Sequence, residues 1–224
     1  MDWTLAIKRN RDQLKGIVLG LFALAKMRVG GSLSILPRST LAAIMLVLRP
    51  AESAVRRLIV IAAAQIGDSY LGRNGIAPLI NTGTGQGNCP RVSPRAFKLI
   101  DPLKSFDPES IWDTDHVNYE SGYDLTTSAR LCHDTSRDHQ PIDATQIGQR
   151  LNALMRALDN LPAQARRLIR WQAKRDAALK ACRPTRLSPI RPGLPPGWRE
   201  RKLHEIDQVL RECHGLANAP PDTG

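Results

Sequence analysis

The spacing of apolar residues predicts three helices near the start of the chain. Between residues 3 and 28, apolar side chains recur every three, four or seven positions, as in an amphipathic helix. The apolar face of this helix holds Trp3, Ile7, Leu14, Val18 and Leu21. A second helix is expected over about residues 39–48. A third is expected from Pro50 to about residue 67, because proline is tolerated in a first helical turn. Residues 1–70 are therefore predicted to form a basic three-helix unit.

Two apolar runs in this unit flank the charged sequence RPAESAVRR at residues 49–57. Neither run approaches the roughly 20 residues that a membrane-spanning helix requires. One span across both runs would place three arginines and a glutamate inside the bilayer, which is costly. We therefore expect two short helices that meet at Arg49-Pro50, with Arg56 and Arg57 at their rim. The break is also shorter than the turn of a helix-turn-helix reader and lacks glycine.

The middle of the chain loses this periodicity. Residues 71–143 contain many turn-forming residues, and prolines after Asp101 and Asp107 prevent a long helix. This segment is predicted to be irregular, acidic and partly disordered, with a few apolar residues such as Phe97 and Leu99 available for docking.

Helical spacing resumes near residue 144 and predicts a helical hairpin over residues 144–182, with Pro162 near the start of its second helix. A Pro- and Arg-rich arm is expected over residues 183–202 and a terminal helix over residues 203–217. The predicted fold class is mainly α. An N-terminal three-helix unit and a C-terminal helical hairpin are joined by a long irregular segment.

Charge is distributed unevenly along the chain. The net charge of +11 divides into +6 for residues 1–70, −3 for residues 71–145 and +8 for residues 146–224. Basic regions of this kind attract phosphate groups, whether on nucleic acid or on lipid headgroups. They are equally able to contact the acidic middle of the same chain.

The strongest candidate contact surface lies on the second helix of the predicted hairpin. Arg166, Arg170 and Lys174 follow one another at intervals of four residues, and three further residues lie beside them: Arg167, Trp171 and Arg175. Cations in this arrangement suit phosphate contacts, and the indole ring is able to stack on a base. The alternative is a solvated helix face on which Trp171 covers the hairpin.

No catalytic or metal centre is evident in the sequence. The cysteines Cys89, Cys132, Cys182 and Cys213 are widely spaced, so neither a disulfide framework nor a zinc site is predicted. The glycines of GTGQG at residues 83–87 lack the following helix that a phosphate-binding loop needs. No nucleophile elbow is present either. We expect a non-enzymatic protein without a cofactor, although a hydrolase that uses the His and Cys residues of the middle segment stays open.

Three segments resemble an uncharacterised family of bacterial, specifically proteobacterial, proteins with no assigned function. The segments are RPAESAVRRLIVIAA at residues 49–63, FKLIDPLKSFDP at residues 97–108, and PIRPGLPPGWRERKLHEIDQVLRECHGLA at residues 189–217. The resemblance implies a bacterial source. It also implies that the Pro/Arg-rich arm and the terminal helix act as one module.

These observations favour an interaction protein that contacts an acidic partner, either nucleic acid or another protein, through its basic helical surface. The alternative is a peripheral membrane protein held on an anionic surface by the apolar face of the first helix. A cytoplasmic location is expected, with the inner face of the membrane as the alternative.

Overall fold

The computed structural model describes residues 3–73, 95–102, 141–183, 188–202 and 204–219. Five helices and one small sheet are seen in these ranges. The helices are α1 (Trp3–Leu24), α2 (Arg38–Arg73), α3 (Thr145–Asp159), α4 (Leu161–Lys180) and α5 (Glu205–Asn218). The predicted mainly α class is confirmed, with helices α1 and α2 in the N-terminal part and α3, α4 and α5 in the C-terminal part.

Helix α2 is the centre of the fold. It packs against α1, α4 and α5 and also contacts α3, so both ends of the chain share one hydrophobic core. Leu151, Leu154 and Leu158 of α3 follow one another at helical spacing and are fully buried in that core. Helices α3 and α4 contact one another less than α3 contacts α1 and α4 contacts α2. The C-terminal helices are therefore held mainly by the N-terminal ones.

The predicted break at Arg49-Pro50 is absent, and α2 is one continuous helix with Pro50 inside it. A proline in a helix interior cannot donate to the carbonyl four residues earlier, which here belongs to Leu46. The guanidinium of Arg199 donates to that carbonyl instead. Gly197 lies directly against Pro50, because a Cβ atom on Gly197 would lie 2.8 Å from the Pro50 ring nitrogen. The C-terminal arm thus satisfies the backbone group that Pro50 leaves without a donor.

A short antiparallel sheet holds the residues that directly precede α2. Strand β1 (Ile35–Pro37) pairs with β2 (Pro141–Asp143), with Leu36 opposite Ile142. Leu36 is buried, while its strand neighbours Ile35 and Pro37 are exposed.

Most of the irregular segment expected over residues 71–143 lies outside the described residues, since residues 74–94 and 103–140 are not among them. Its ends are regular instead, since residues 71–73 belong to α2 and residues 141–143 form β2. Residues 95–102 enter the core through Phe97 and Leu99, both of which are buried. Leu203, the predicted start of the terminal helix, also lies outside the described residues, and α5 begins at Glu205.

Candidate functional site

Arginine side chains from three helices hold residues 95–98 in place. Arg156 of α3 donates to the carbonyl of Arg95 at 2.9 Å, and Arg167 of α4 donates to the carbonyl of Phe97 at 2.8 Å. Arg56 of α2 donates to the carbonyl of Lys98 at 3.0 Å. These guanidinium groups satisfy backbone acceptors that lie outside any helix or strand.

The segment ends at Asp101, whose carboxylate is fully buried and surrounded by donors. Oδ1 accepts from Arg56 at 3.1 Å, and Oδ2 accepts from Arg57 at 3.4 Å. The backbone N–H of Arg191 donates to Oδ2 at 3.3 Å, and the backbone N–H of Asp101 donates to the carbonyl of Pro189 at 2.8 Å. Asp101 therefore joins α2, residues 95–101 and the C-terminal arm at one point.

Arg57 is fully buried and satisfied on several sides. Besides Asp101, it donates to the carbonyl and the hydroxyl of Ser53, at 3.1 and 2.6 Å, and to Nδ1 of His214 at 3.3 Å. Burial lowers the pKa of Arg57, and the charge of Asp101 opposes this effect. Such a pair holds together distant parts of the chain, since either charge alone would be strongly unfavourable in the core.

A second carboxylate completes this cluster. Glu52 accepts from Arg56 at 3.3 Å and from Arg150 at 2.8 and 3.0 Å. Three guanidinium groups thus share two carboxylates, and both carboxylates accept hydrogen bonds from more than one donor. Such an arrangement suits structural cohesion better than proton transfer, because a general base needs a free lone pair facing its substrate.

The predicted position of Arg56 and Arg57 at the rim is wrong. Both lie in the core, and they contact Asp101, which no local sequence pattern marks as their partner. The sequence does contain a signal for this buried site. Two adjacent arginines inside an otherwise apolar helix require a buried acidic partner.

The basic residues predicted on the second hairpin helix, now α4, divide into two groups. Arg166, Arg170 and Lys174 are exposed, and they form no ion pair with any residue that the structure describes. By contrast, Arg167 holds the carbonyl of Phe97. Arg175 bonds to Asp176 at 2.7 Å and lies over the ring of Trp171.

Trp171 itself is partly buried and packs against the hydrophobic core. The alternative in which the indole covers the hairpin stays a prediction, since α4 packs mainly against α2. The exposed trio Arg166, Arg170 and Lys174 forms the basic face of α4.

The apolar face predicted on the first helix points largely into the core. Leu14, Val18 and Leu21 are buried. Trp3 and Ile7 are partly buried, and Ile7 packs against the core. This stripe is therefore occupied by the rest of the chain.

The cysteines and histidines that the structure describes do not assemble into a metal site, and no group of three potential ligands is found among the described residues. Cys213 is buried, which raises the pKa of its thiol to about 12, whereas Cys182 is exposed. The residues of the open hydrolase hypothesis, Cys89, Cys132 and the histidines of the middle segment, lie outside the described ranges. Within those ranges, no helix has the length and apolar character that crossing a membrane requires.

Comparison with protein families, with curated protein sequences and with solved structures finds no match to this chain. The resemblance to a bacterial family therefore stays a prediction. The three segments that carry it nevertheless meet in the fold. The first segment contributes Arg56 and Arg57, and the second contributes Asp101, to which both arginines bond. The third segment contributes the Arg191 N–H, which bonds to Asp101, and His214, which bonds to Arg57.

The arm and the terminal helix contact one another through several side chains. Trp198 stacks edge-on against His214 with ring centroids 5.6 Å apart, and Arg199 pairs with Asp207 at 3.2 Å. Arg211 of α5 donates to the carbonyl of Arg199 at 2.7 Å.

Proposed function

We propose that this chain is a non-enzymatic protein that binds nucleic acid through the phosphate backbone, with the basic face of α4 as its contact surface. The observation that carries the proposal is the exposure of Arg166, Arg170 and Lys174 on one helix face without a described acidic partner. Arg167 and Arg175 of the same helix are engaged within the fold.

The spacing of the basic face supports contacts that are independent of base sequence. Residues four apart on a helix are separated by about 6 Å along its axis, so the three cations extend over about 12 Å. A duplex carries a negative charge about every 1.7 Å of its axis, so such a row meets several phosphates in any register. Lys98 is also exposed, and it follows the Phe97 carbonyl that Arg167 binds, so it adds a cation beside α4.

Base stacking is not part of the proposal. Trp171 packs against the core and carries Arg175 over its ring, so its faces are already in use. We accordingly expect affinity that depends strongly on salt and weakly on sequence. A cytoplasmic location belongs to the same proposal.

The experiment compares nucleic-acid affinity over a range of salt concentrations in the wild type and in Arg166→Glu/Arg170→Glu/Lys174→Glu. Binding by the wild type should weaken as salt rises. The variant should lose binding, and any residual slope of log K against log salt should be shallower by about 3, since roughly one counterion is released per phosphate contact.

The matched control is Lys8→Glu/Arg28→Glu/Lys202→Glu, which changes net charge equally at exposed positions outside α4. It should retain most of the affinity. Equal losses in both triple variants would reduce the effect to overall charge and overturn the assignment to α4. If the wild type binds an acidic protein but neither single-stranded nor duplex nucleic acid, the partner is an acidic protein and the nucleic-acid proposal is wrong.

The alternative of membrane association through the predicted stripe on α1 gains no support, because Leu14, Val18 and Leu21 are buried in the core.

A further inference from the structure

Helix α1 is apolar around its whole circumference near its C-terminal end, yet the residues that the structure describes cover only one side of it. From residue 16 to residue 25 the sequence is GIVLGLFALA. Val18, Leu21, Phe22 and Ala25 face the core and are buried. The opposite side is exposed and consists of Gly16, Leu19, Gly20, Ala23 and Leu24, which we call the outer face.

At 3.6 residues per turn, the five residues of the outer face lie within one half of the helix circumference. Leu19 is 47% exposed and Leu24 is 46% exposed. A Cβ atom added at Gly16 or Gly20 would meet nothing within 4 Å among the described residues. Val29, just beyond the helix, is 53% exposed and extends this apolar character.

An amphipathic surface helix normally turns charged or polar residues toward solvent. Apolar residues that stay exposed together on a folded protein usually mark a surface that meets a partner or a membrane. The outer face is a different surface from the stripe that the sequence predicts for membrane contact. That stripe lies on the buried side of the same helix.

The charges at the border of the outer face point to the nature of the partner. Lys26 and Arg28 follow the helix and are exposed. No acidic residue occurs between positions 13 and 51, whereas five basic residues do. Asp12, one turn before Gly16, marks the N-terminal end of the face, and Lys15 at its side is paired with Asp159 at 2.7 Å.

We propose that the outer face of α1 docks on an anionic bilayer surface, with Leu19 and Leu24 in the interface and Lys26 and Arg28 at the headgroups. Apolar residues beside cations are the combination that holds a helix in the headgroup layer. The ten residues from Gly16 to Ala25 measure about 15 Å along the helix axis, half of a bilayer core, so the helix lies on the membrane. A second copy of the chain would add a further charge of +11 and be repelled, whereas an anionic bilayer attracts these cations.

The test is co-sedimentation of the full chain with vesicles of equal parts phosphatidylcholine and phosphatidylglycerol, and with vesicles of phosphatidylcholine alone. The wild type should sediment with the anionic vesicles and much less with the neutral ones. Leu19→Glu/Leu24→Glu should reduce partitioning by about tenfold or more, because it places two charges at the depth of the apolar contact. Lys26→Glu/Arg28→Glu should also weaken binding, and selectively for the anionic vesicles.

Two controls separate this surface from the rest of the protein. Leu179→Glu/Leu194→Glu changes two other exposed leucines and should bind as the wild type does. The triple variant of the basic face on α4 should keep its vesicle binding, so the nucleic-acid proposal and this one fail independently. The circular dichroism and melting temperature of each variant show whether it is folded.

Three results would overturn the proposal. One is vesicle binding that Leu19→Glu/Leu24→Glu leaves unchanged. Another is vesicle binding lost through the α4 variant. The third is a wild type that ignores both vesicles; if light scattering then shows a dimer that this double variant dissociates, a second copy occupies the face.

Discussion

Nη2 of Arg57 lies 3.4 Å from Oδ2 of Asp101, and both side chains are fully excluded from solvent. The two residues are separated by more than forty positions in the sequence, and Arg57 also reaches His214 at the other end of the chain. Through this contact the middle of α2, residues 95–101 and helix α5 are held together inside one core.

Replacing Asp101 by asparagine should destabilise the fold severely. The carboxylate would be lost while Arg56 and Arg57 remain buried, and an unpaired buried charge costs roughly 3–5 kcal/mol. Urea denaturation of Asp101→Asn against the wild type measures the change in the free energy of unfolding. The matched control is Asp159→Asn, which breaks the exposed pair with Lys15 and should cost at most about 1 kcal/mol. Similar losses in the two variants would show that the buried pair contributes no more than a surface one.

The role of Arg199 in capping the Leu46 carbonyl predicts an energetic coupling to Pro50. Arg199→Leu should destabilise the protein, since it leaves that carbonyl without a donor and also removes a partner of Asp207. In a Pro50→Ala background the alanine N–H is able to bond to Leu46, so the same change should cost about 1–3 kcal/mol less. A double-mutant cycle in urea measures this difference. Strictly additive losses would mean that Arg199 acts only through Asp207.

Two glycines with similar backbone angles allow the cost of conformational strain to be measured apart from the cost of close packing. Gly193 has φ +82° with open space around it, whereas Gly197 has φ +77° and lies against Pro50. Gly193→Ala should cost about 1–2 kcal/mol for the left-handed conformation alone. Gly197→Ala should cost roughly 1–3 kcal/mol more, because its Cβ overlaps atoms of the Pro50 backbone and ring. Melting temperatures of the two variants test this order, and Gly197→Ala should melt at the lower temperature.

His214 should make the fold less stable in mildly acidic solution. Burial lowers the pKa of His214 below its ordinary value of 6.5, and the charge of Arg57 lowers it further, while Asp101 opposes both. As the pH falls below about 6.5, the unfolded chain therefore takes up a proton before the folded one does. The free energy of unfolding then falls, by at most about 1.4 kcal/mol per pH unit for one group.

The measurement for His214 is urea denaturation at several pH values for the wild type and for His214→Gln, which does not titrate. Above neutral pH the difference between the two should be constant. Toward acid the wild type should lose stability relative to the variant. Parallel curves across the whole range would contradict a shifted pKa at this histidine.

Local patterns in the sequence predict the helices well, and contacts between distant segments account for what they miss. Leu151, Leu154 and Leu158 repeat at helical spacing, so α3 is recognisable from a short window, and Pro162 correctly marks the start of α4 within one residue. The continuity of α2 through Pro50 depends on Arg199, which lies about 150 positions away, and no local pattern contains that information.

For the candidate surfaces too, local spacing predicts one part of the structure and contacts between distant segments decide the rest. The spacing of Arg166, Arg170 and Lys174 correctly places them on one exposed helix face. Arg167 has the same residue type and a neighbouring position, yet it turns to the carbonyl of Phe97, because residues 95–98 pack beside α4. Spacing also predicted the apolar side of α1 that contacts the core. The uncovered side becomes apparent only once the packing around α1 is known.

Arginine side chains supply residues 95–98 with the hydrogen-bond donors that a neighbouring strand supplies in a sheet. Arg56, Arg156 and Arg167 donate to three of the four carbonyls of these residues. A guanidinium group offers several donors in a fixed plane, so one side chain is able to satisfy a carbonyl and a carboxylate at once, as Arg56 does. Part of the basic composition is therefore an architectural requirement, and the number of arginines in the sequence overstates how many are directed toward a partner.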